Sequence, residues 1–416
     1  MFRKDLDMKV LHISQSDRQG GASIAAFRMM EAMNINGLEA RMLVLDKISD
    51  TDCVYETESH TITKYVSFVK LKYSFEHHLC QFFLHPKLLF SCGYVHSSSI
   101  ISNPMVKWAD VVYIHWVVGG FLNIEDIGRI SKLGKPVFLI LHDMWALTGG
   151  CHHSLNCQMW RTGCERCYMI TRKMFKKVAH WTILRKQRNW NSEDLFVISP
   201  SRWLAQCAKD SVLFKGSKIY TIPNMLNDRV FGVMDKKEAR QILKLPLNRK
   251  LILFGAAGGY RNPFKGWKYA DELMRRMGKE ADLVAFGGDE VISKDYKLYS
   301  IGRMYDESSL AILYNAVDVF ISPTQAEAFG LTLMEAICCG VKAVAFNVGG
   351  VSDIINHMDN GYLSRPNDVM DLERGVLWAL RSPNTLEERK RLHDGIKLKY
   401  SYSVVTSMHK KVLNEV

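Results

Sequence analysis

At 416 residues, with 47% hydrophobic and 24% charged residues, the chain has the make-up of an ordinary folded protein and exceeds the size at which a single core usually stops growing. Two domains are therefore the default, and neither a membrane-spanning helix nor a signal peptide is visible: no window reaches about 18 apolar residues, and the charged Met1–Asp7 has no apolar core behind it. With neither span nor leader legible, the chain is expected in the cytoplasm, where its ten cysteines read as reduced thiols or metal ligands and not as a disulfide framework.

Taken in order, the first half alternates strands and helices. Lys9–Ser14 is an apolar strand, Asp17–Gly21 a polar loop, and Ala22–Asn34 has helical apolar spacing. Val54–Ser102 shows no dependable period. Val111–His115, Pro136–Leu141 and Leu195–Ser199 are short apolar runs, reading as buried parallel strands. Between them, Thr171–Asn191 carries seven Lys or Arg and no acid. As a helix it sets Ile170, Met174, Val178, Trp181 and Leu184 on one stripe, while Arg172, Lys173, Lys176 and Lys186 face away. Such a stripe normally packs on the core, which is the preferred reading. A net charge of +12 would also suit an anionic bilayer, whereas nucleic acid is distant because no binding motif accompanies the charge.

The strand Ile219–Asn224 leads to a polar boundary near Pro223–Asp228. Beyond it, Lys250–Gly255, Asp282–Phe286, Val317–Ser322 and Lys342–Phe346 form a second alternating series. The expected fold is α/β, with doubly wound Rossmann-like domains at 1–225 and 226–395 and a closing helix in 396–416.

The chemistry concentrates in Ser322–Ala336, where Glu327 and Glu335 bracket an apolar turn into a helix. Glu335 lies among Leu333, Met334, Ala336 and Ile337, and burying it unpaired would cost several kcal/mol, so something must satisfy it. The turn at Phe329-Gly330 opens that helix, and its first free N–H groups and positive dipole end form an anion site. In Phe254–Gly266, a strand runs into a loop whose glycines permit close approach and whose Arg261 and Lys265 can neutralise a diphosphate. Neither this loop nor Gln19-Gly20-Gly21-Ala22 fits Gly-x-Gly-x-x-Gly, so a nicotinamide cofactor is unsupported.

The Glu-x7-Glu spacing, followed by Cys339-Gly340, the strand Val341–Phe346 and Gly349-Gly350-Val351, resembles retaining glycosyltransferases of family 4, a branch of glycosyltransferase group 1. Asp318–Pro323 is similar to the strand before the family's turn, and Asn360–Leu363 to its later turn; the likeness runs from Lys9 to about Leu380. It implies the GT-B architecture, two such domains facing across a cleft, with the last helix returning to the first domain. By this resemblance Glu335 accepts from ribose hydroxyls, Glu327 contacts the transferred sugar, and N–H groups at Phe329, Gly330 and Leu331 hold phosphate. Lys265, with Arg261 one residue closer than the family's usual spacing, serves the diphosphate. Ser300–Met304, including Arg303, sits where the family meets the nucleobase. On the acceptor side stand Gly20 and Gly21, which also suit an ordinary βα turn; His142 matches the histidine at the reacting centre, and Asp143 either orients it or binds acceptor hydroxyls. His115-Trp116, at the preceding strand end, is the weaker candidate.

After His142, four cysteines and two histidines fall within 17 residues. Cys164-x2-Cys167 is a usual half of a structural zinc site, but Cys151-x5-Cys157 is not, and packed, reduced thiols are the preferred reading. The resemblance calls for no catalytic metal and no cofactor beyond the nucleotide-diphosphate sugar itself. It implies a retaining hexosyltransferase extending a glycan or lipid-linked acceptor for cell-surface polysaccharide such as lipopolysaccharide or capsule, in the cytoplasm or at the inner face of the membrane. Two alternatives stay open: a non-hydrolysing nucleotide-sugar epimerase, and a non-catalytic nucleotide-sugar-binding module.

Overall fold

The computed structural model describes residues 8–57, 62–84, 89–96, 100–191, 193–255, 262–288, 292–304 and 306–416. The chain forms two compact units, Met1–Pro223 with Thr406–Val416, and Asn224–Val405.

In the first unit seven strands form one parallel sheet: β1 (Lys9–Ser16), β2 (Glu39–Asp46), β3 (Val54–Glu56), β4 (Val111–Ile114), β5 (Val137–Ile140), β6 (Leu195–Ser199) and β7 (Ile219–Thr221), in the order β3-β2-β1-β4-β5-β6-β7. Both faces are covered, which is why Val-Val-Tyr-Ile in β4 and Val-Phe-Leu-Ile in β5 are buried throughout. The order reverses between β1 and β4, and residues just past their ends are the natural place for a ligand. Gly20 begins the helix Gly21–Ile35 with φ of 89°, a left-handed conformation that explains this glycine without a ligand.

Within 54–102 lies a long helix, Ile62–Phe83, whose Leu71, Phe75, Leu79 and Phe82 are exposed at helical spacing. Its single acid, Glu76, is turned to the protein and accepts from the N–H groups of Gly93 and Val95 at 2.9 and 3.1 Å. The basic segment departs from expectation. Its helix is Val178–Asn189, and the buried side chains are Ala179, Thr182, Ile183 and Lys186, whereas Met174 and Trp181 are 78% and 51% exposed. Lys186 turns inward because Nζ donates to the carbonyls of Trp145 and Thr148 and lies 3.9 Å from the Trp145 ring centre. Desolvation takes its pKa down to about 7, against the pull of nearby Cys164 and Asp143.

The second unit holds a six-stranded parallel sheet: β8 (Leu251–Gly255), β9 (Asp282–Phe286), β10 (Leu298–Gly302), β11 (Val319–Ser322), β12 (Lys342–Phe346) and β13 (Gly361–Ser364), in the order β10-β9-β8-β11-β12-β13. Alternate side chains feed two cores: Leu251, Leu253, Phe320 and Ala343 on one face, and Ile252, Phe254, Ile321 and Val344 on the other. Each such fully buried large apolar side chain stabilises the unit by about 1.5–3 kcal/mol. Asp318 pins the start of β11, accepting from Lys236, Arg240 and the Leu251 N–H, each at 2.8 Å. Ser300–Gly302 ends β10, and one expectation changes: of Asn360–Leu363 only Asn360 lies in a turn, the rest pairing with β12.

The closing helix is Tyr402–Leu413, and its part from Thr406 belongs to the first unit, where Lys410 donates to the Asn36 carbonyl at 2.8 Å.

Candidate active site

The strand order of the second sheet reverses between β8 and β11, so the loops after these two strands share the position where open α/β sheets bind ligands. They are stitched together. Phe264 follows β8, and its carbonyl accepts from the Gln325 N–H at 2.8 Å and the Thr324 hydroxyl at 3.0 Å. Asn262 caps the turn Pro263–Lys265 by accepting from the Phe264 N–H at 3.1 Å. Gly266 has φ of 78°, and a Cβ there would stand 1.8 Å from the Pro323 carbonyl oxygen, so only glycine permits this approach. A second backbone contact holds the other side: the Gly350 N–H donates to the Glu327 carbonyl at 3.0 Å, and Gly349, at φ of 56°, would place a Cβ 1.8 Å from that oxygen.

The outcome is that Lys265 Nζ lies 3.0 Å from Glu327 Oε2, both side chains remaining partly accessible. Two residues singled out separately in the sequence are thus brought together as an ion pair that neither motif predicts.

Three residues on, Gly330 takes φ of 114° and opens the helix Leu331–Cys338. The first intrahelical donors are Leu333 and Met334, both to the Gly330 carbonyl, at 3.1 and 3.2 Å. The amides of Leu331 and Thr332 precede them, which is the ordinary opening of a helix onto an anion. Phe329 is buried, its ring edge-on to Tyr400 at 5.8 Å. Glu335 is only 3% exposed, and the requirement for a partner is met by Tyr314, whose hydroxyl donates to Oε2 at 3.1 Å from the helix Glu307–Ala316. Tyr314 is a neighbour of Glu335 that sequence reasoning missed; its place on a mostly apolar helix gives no sign of a polar duty. Arg303 is exposed just past the edge strand β10, and Arg261 lies outside the described residues.

In the first unit His142 follows β5 and is half-buried. Its Nε2 lies 2.9 Å from His115 Nδ1, and His115 Nε2 lies 3.0 Å from His12 Nδ1. Among the described residues Asp143 makes its hydrogen bonds to groups other than His142. It accepts from the Trp145 N–H at 2.7 Å and pairs with His152 Nδ1 at 2.6 Å, while His152 Nε2 meets the Ser91 hydroxyl at 3.0 Å. Burial alone would push the Asp143 carboxyl up, but His152 and the Trp145 N–H hold it below the usual carboxylate range. His115, the weaker candidate, emerges as the direct neighbour of His142. His12 was hidden as a polar interruption in an apolar strand.

The lesser reading of the cysteines, a structural zinc site, finds no support in the geometry. Among the described residues no group of three or more His, Cys, Asp or Glu side chains is placed to hold a metal ion. Cys151, Cys157, Cys164 and Cys167 are buried thiols. Burial pushes Cys151 well up, Cys164 to about 11 and Cys167 upward, as expected of thiols packed without a cation beside them.

Comparison with known proteins agrees with this picture. Residues 235–398 match the family profile described as glycosyl transferases group 1. D-inositol 3-phosphate glycosyltransferase 2 of Catenulispora acidiphila is 27% identical over 221 residues, 47% of this chain and 52% of that protein. O-antigen chain mannosyltransferase B of Escherichia coli is 25% identical over 201 residues, 47% of this chain and 45% of that protein. The chain thus spans about half the length of the curated relatives it matches. Among solved structures, sucrose-phosphate synthase from Thermosynechococcus elongatus has a TM-score of 0.66 at 15% identity, covering 98% of both chains. Anabaena HepE, solved with UDP and glucose, has a TM-score of 0.63 at 14% identity, covering 98% of this chain and 100% of that one. The shared fold is GT-B, and residues 235–398 are similar to the glycosyl transferases of group 1.

Proposed function

We propose that this protein is a retaining glycosyltransferase that moves a hexose from a nucleotide-diphosphate sugar to a glycan or lipid-linked acceptor in cell-surface polysaccharide synthesis. The observation that carries the reading is the Lys265–Glu327 pair at the sheet's switch point, beside the opening of the helix Leu331–Cys338. A cation and free helix amides suit a diphosphate, and a carboxylate suits sugar hydroxyls. HepE, which shares the fold, binds UDP and glucose, and one relative is named for O-antigen synthesis.

In the proposed division of labour, 226–395 binds the donor, 1–225 receives the acceptor, and 396–416 closes the chain. Glu327 holds hydroxyls of the transferred sugar. Glu335, already engaged by Tyr314, offers its remaining acceptor capacity to the ribose. Lys265, Arg261 and the amides at Phe329–Leu331 hold the diphosphate. In transfer, the bond from the anomeric carbon to phosphate oxygen breaks as the bond to the acceptor oxygen forms on the same face. The acceptor proton passes to the departing phosphate oxygen. Lys265 and the helix start stabilise the charge developing there. His142 serves the transfer step, and no protein carboxylate acts as nucleophile.

A lipid-linked acceptor calls for peripheral contact with a membrane's inner face. Support comes from Leu71, Phe75, Leu79, Phe82 and Met174, all exposed, next to exposed Arg172 and Lys173. The Arg172 guanidinium lies 3.7 Å from the Phe82 ring centre, joining the basic segment to the apolar stripe. Apolar side chains rimmed by cations fit an anionic bilayer, whereas a second copy of this surface would bring like charges together.

A panel of nucleotide sugars, each tested for thermal stabilisation of the protein, examines the donor assignment. A specific donor at 100 times its Kd should add about 2.7 kcal/mol. Absence of stabilisation by every nucleotide sugar and nucleoside diphosphate would overturn it.

A further inference from the structure

Three imidazoles run in line through the first unit. His12 sits within β1, His115 directly follows β4, His142 follows β5, and these strands are neighbours in the sheet. The nitrogen separations are 3.0 Å from His12 Nδ1 to His115 Nε2 and 2.9 Å from His115 Nδ1 to His142 Nε2. Successive ring centres lie 5.2 Å apart.

All three rings are neutral near pH 7. Burial takes His12 to about 3 and His142 to about 4, Asp143 pulling the latter back only in part, and burial holds His115 well below its ordinary value. His409, packed nearby with its Nδ1 3.2 Å from the Tyr113 hydroxyl, is likewise held at about 3 by burial.

A neutral imidazole carries one N–H and one bare nitrogen. Each gap in the row needs one hydrogen, so the three rings cannot choose independently. If His115 carries hydrogen on Nε2, it donates to His12 Nδ1 and must accept from His142 Nε2; all three rings are then Nε2–H. If His115 carries hydrogen on Nδ1, it donates to His142 Nε2 and accepts from His12 Nδ1; all three are then Nδ1–H. The ends decide between these states. His142 is half-buried, and its Nδ1 has no hydrogen-bond partner among the described residues, so either state suits that end. His12 Nε2 is buried without a hydrogen-bond partner. The first state strands an N–H donor there and the second only a lone pair. Orphaned buried donors are the rarer of the two, because a stranded N–H forfeits a whole hydrogen bond to water.

We propose that His12 and His115 are positioning residues that lock His142 in its Nδ1–H tautomer, making its accessible nitrogen a hydrogen-bond donor to a sugar oxygen and not a base. The row ends blind at His12, so it sets polarity and does not carry a proton away. That the oxygen belongs to a sugar rests on the function proposed above; the tautomer does not, and its test needs no turnover.

The experiment is nitrogen NMR of protein labelled with 15N only at histidine, with the His142 signals identified by their loss in His142→Gln. The expected wild-type pattern is a protonated Nδ1 and a bare Nε2. His12→Leu removes the donor to His115 Nε2 and should move His142 to a mixture of tautomers. His12→Asn, whose side-chain amide can replace Nδ1 as donor, should restore the wild-type pattern. A wild-type His142 protonated on Nε2 overturns the proposal even if no variant folds, as does a pure Nδ1–H pattern that persists in folded His12→Leu.

Discussion

Removing either member of the Lys265–Glu327 pair should have opposite effects on nucleoside-diphosphate binding. A charge-assisted hydrogen bond from Lys265 to a diphosphate contributes about 1.5–3 kcal/mol. In the free protein Nζ is already 3.0 Å from Glu327, a partly exposed pair of the kind that contributes about 0.2–1 kcal/mol, which offsets part of the gain. Lys265→Ala should therefore cost about 1.5 kcal/mol net, roughly a tenfold weaker Kd for the diphosphate. Glu327→Gln releases the lysine from its partner and should leave diphosphate affinity unchanged or improve it by up to about fivefold. It should nonetheless lower turnover, since the lost contact is to the transferred sugar. Isothermal titration calorimetry with nucleoside diphosphates, beside initial rates, separates the two. Equal weakening of the diphosphate by both substitutions would refute the reasoning, placing Glu327 on the nucleotide.

Tyr314→Phe keeps the packing but takes a donor from buried Glu335, so denaturant titration should show a loss of about 1.5–3 kcal/mol; wild-type stability would mean that the carboxylate is fully satisfied elsewhere. For pH the sign follows from His12 and His409, both near 3 in the fold against about 6.5 unfolded. The unfolded chain takes up protons first, so the contribution is present above pH 6.5 and is lost as pH falls, by about 1.4 kcal/mol per unit for each ring. Urea midpoints between pH 7 and 5 should show this, with a shallower slope in His12→Asn; an identical slope in that variant contradicts it. At the membrane, Phe75→Ser with Met174→Ser should reduce sedimentation with anionic phospholipid vesicles at least tenfold without affecting diphosphate binding. Unaltered sedimentation would remove this surface as the contact.

Much of the second unit was legible because its signals are local. Apolar runs such as Leu251–Gly255 and Lys342–Phe346 have no other stable fate than a strand covered on both faces, and Glu327, Phe329-Gly330 and Glu335 lie within one loop and helix. What was hidden depends on approach between distant segments. Lys265 meets Glu327 because Gly266 and Gly349 let two backbones come close, a property with no sequence period. His12, His115 and His142 align only once β1, β4 and β5 are adjacent. The basic segment was misread for a different reason. Helical counting assumes that charge faces water, but Lys186 finds two carbonyls and a tryptophan ring inside, and the buried face follows it.

The central claim is tested most directly by mass analysis of products formed from a nucleotide sugar with and without a lipid-linked saccharide. The account predicts that nucleoside diphosphate is released in step with an acceptor heavier by one sugar, only when the acceptor is present, and that Glu327→Gln lowers both together. Conversion of the donor to an isomer without any acceptor would contradict it and point to an epimerase.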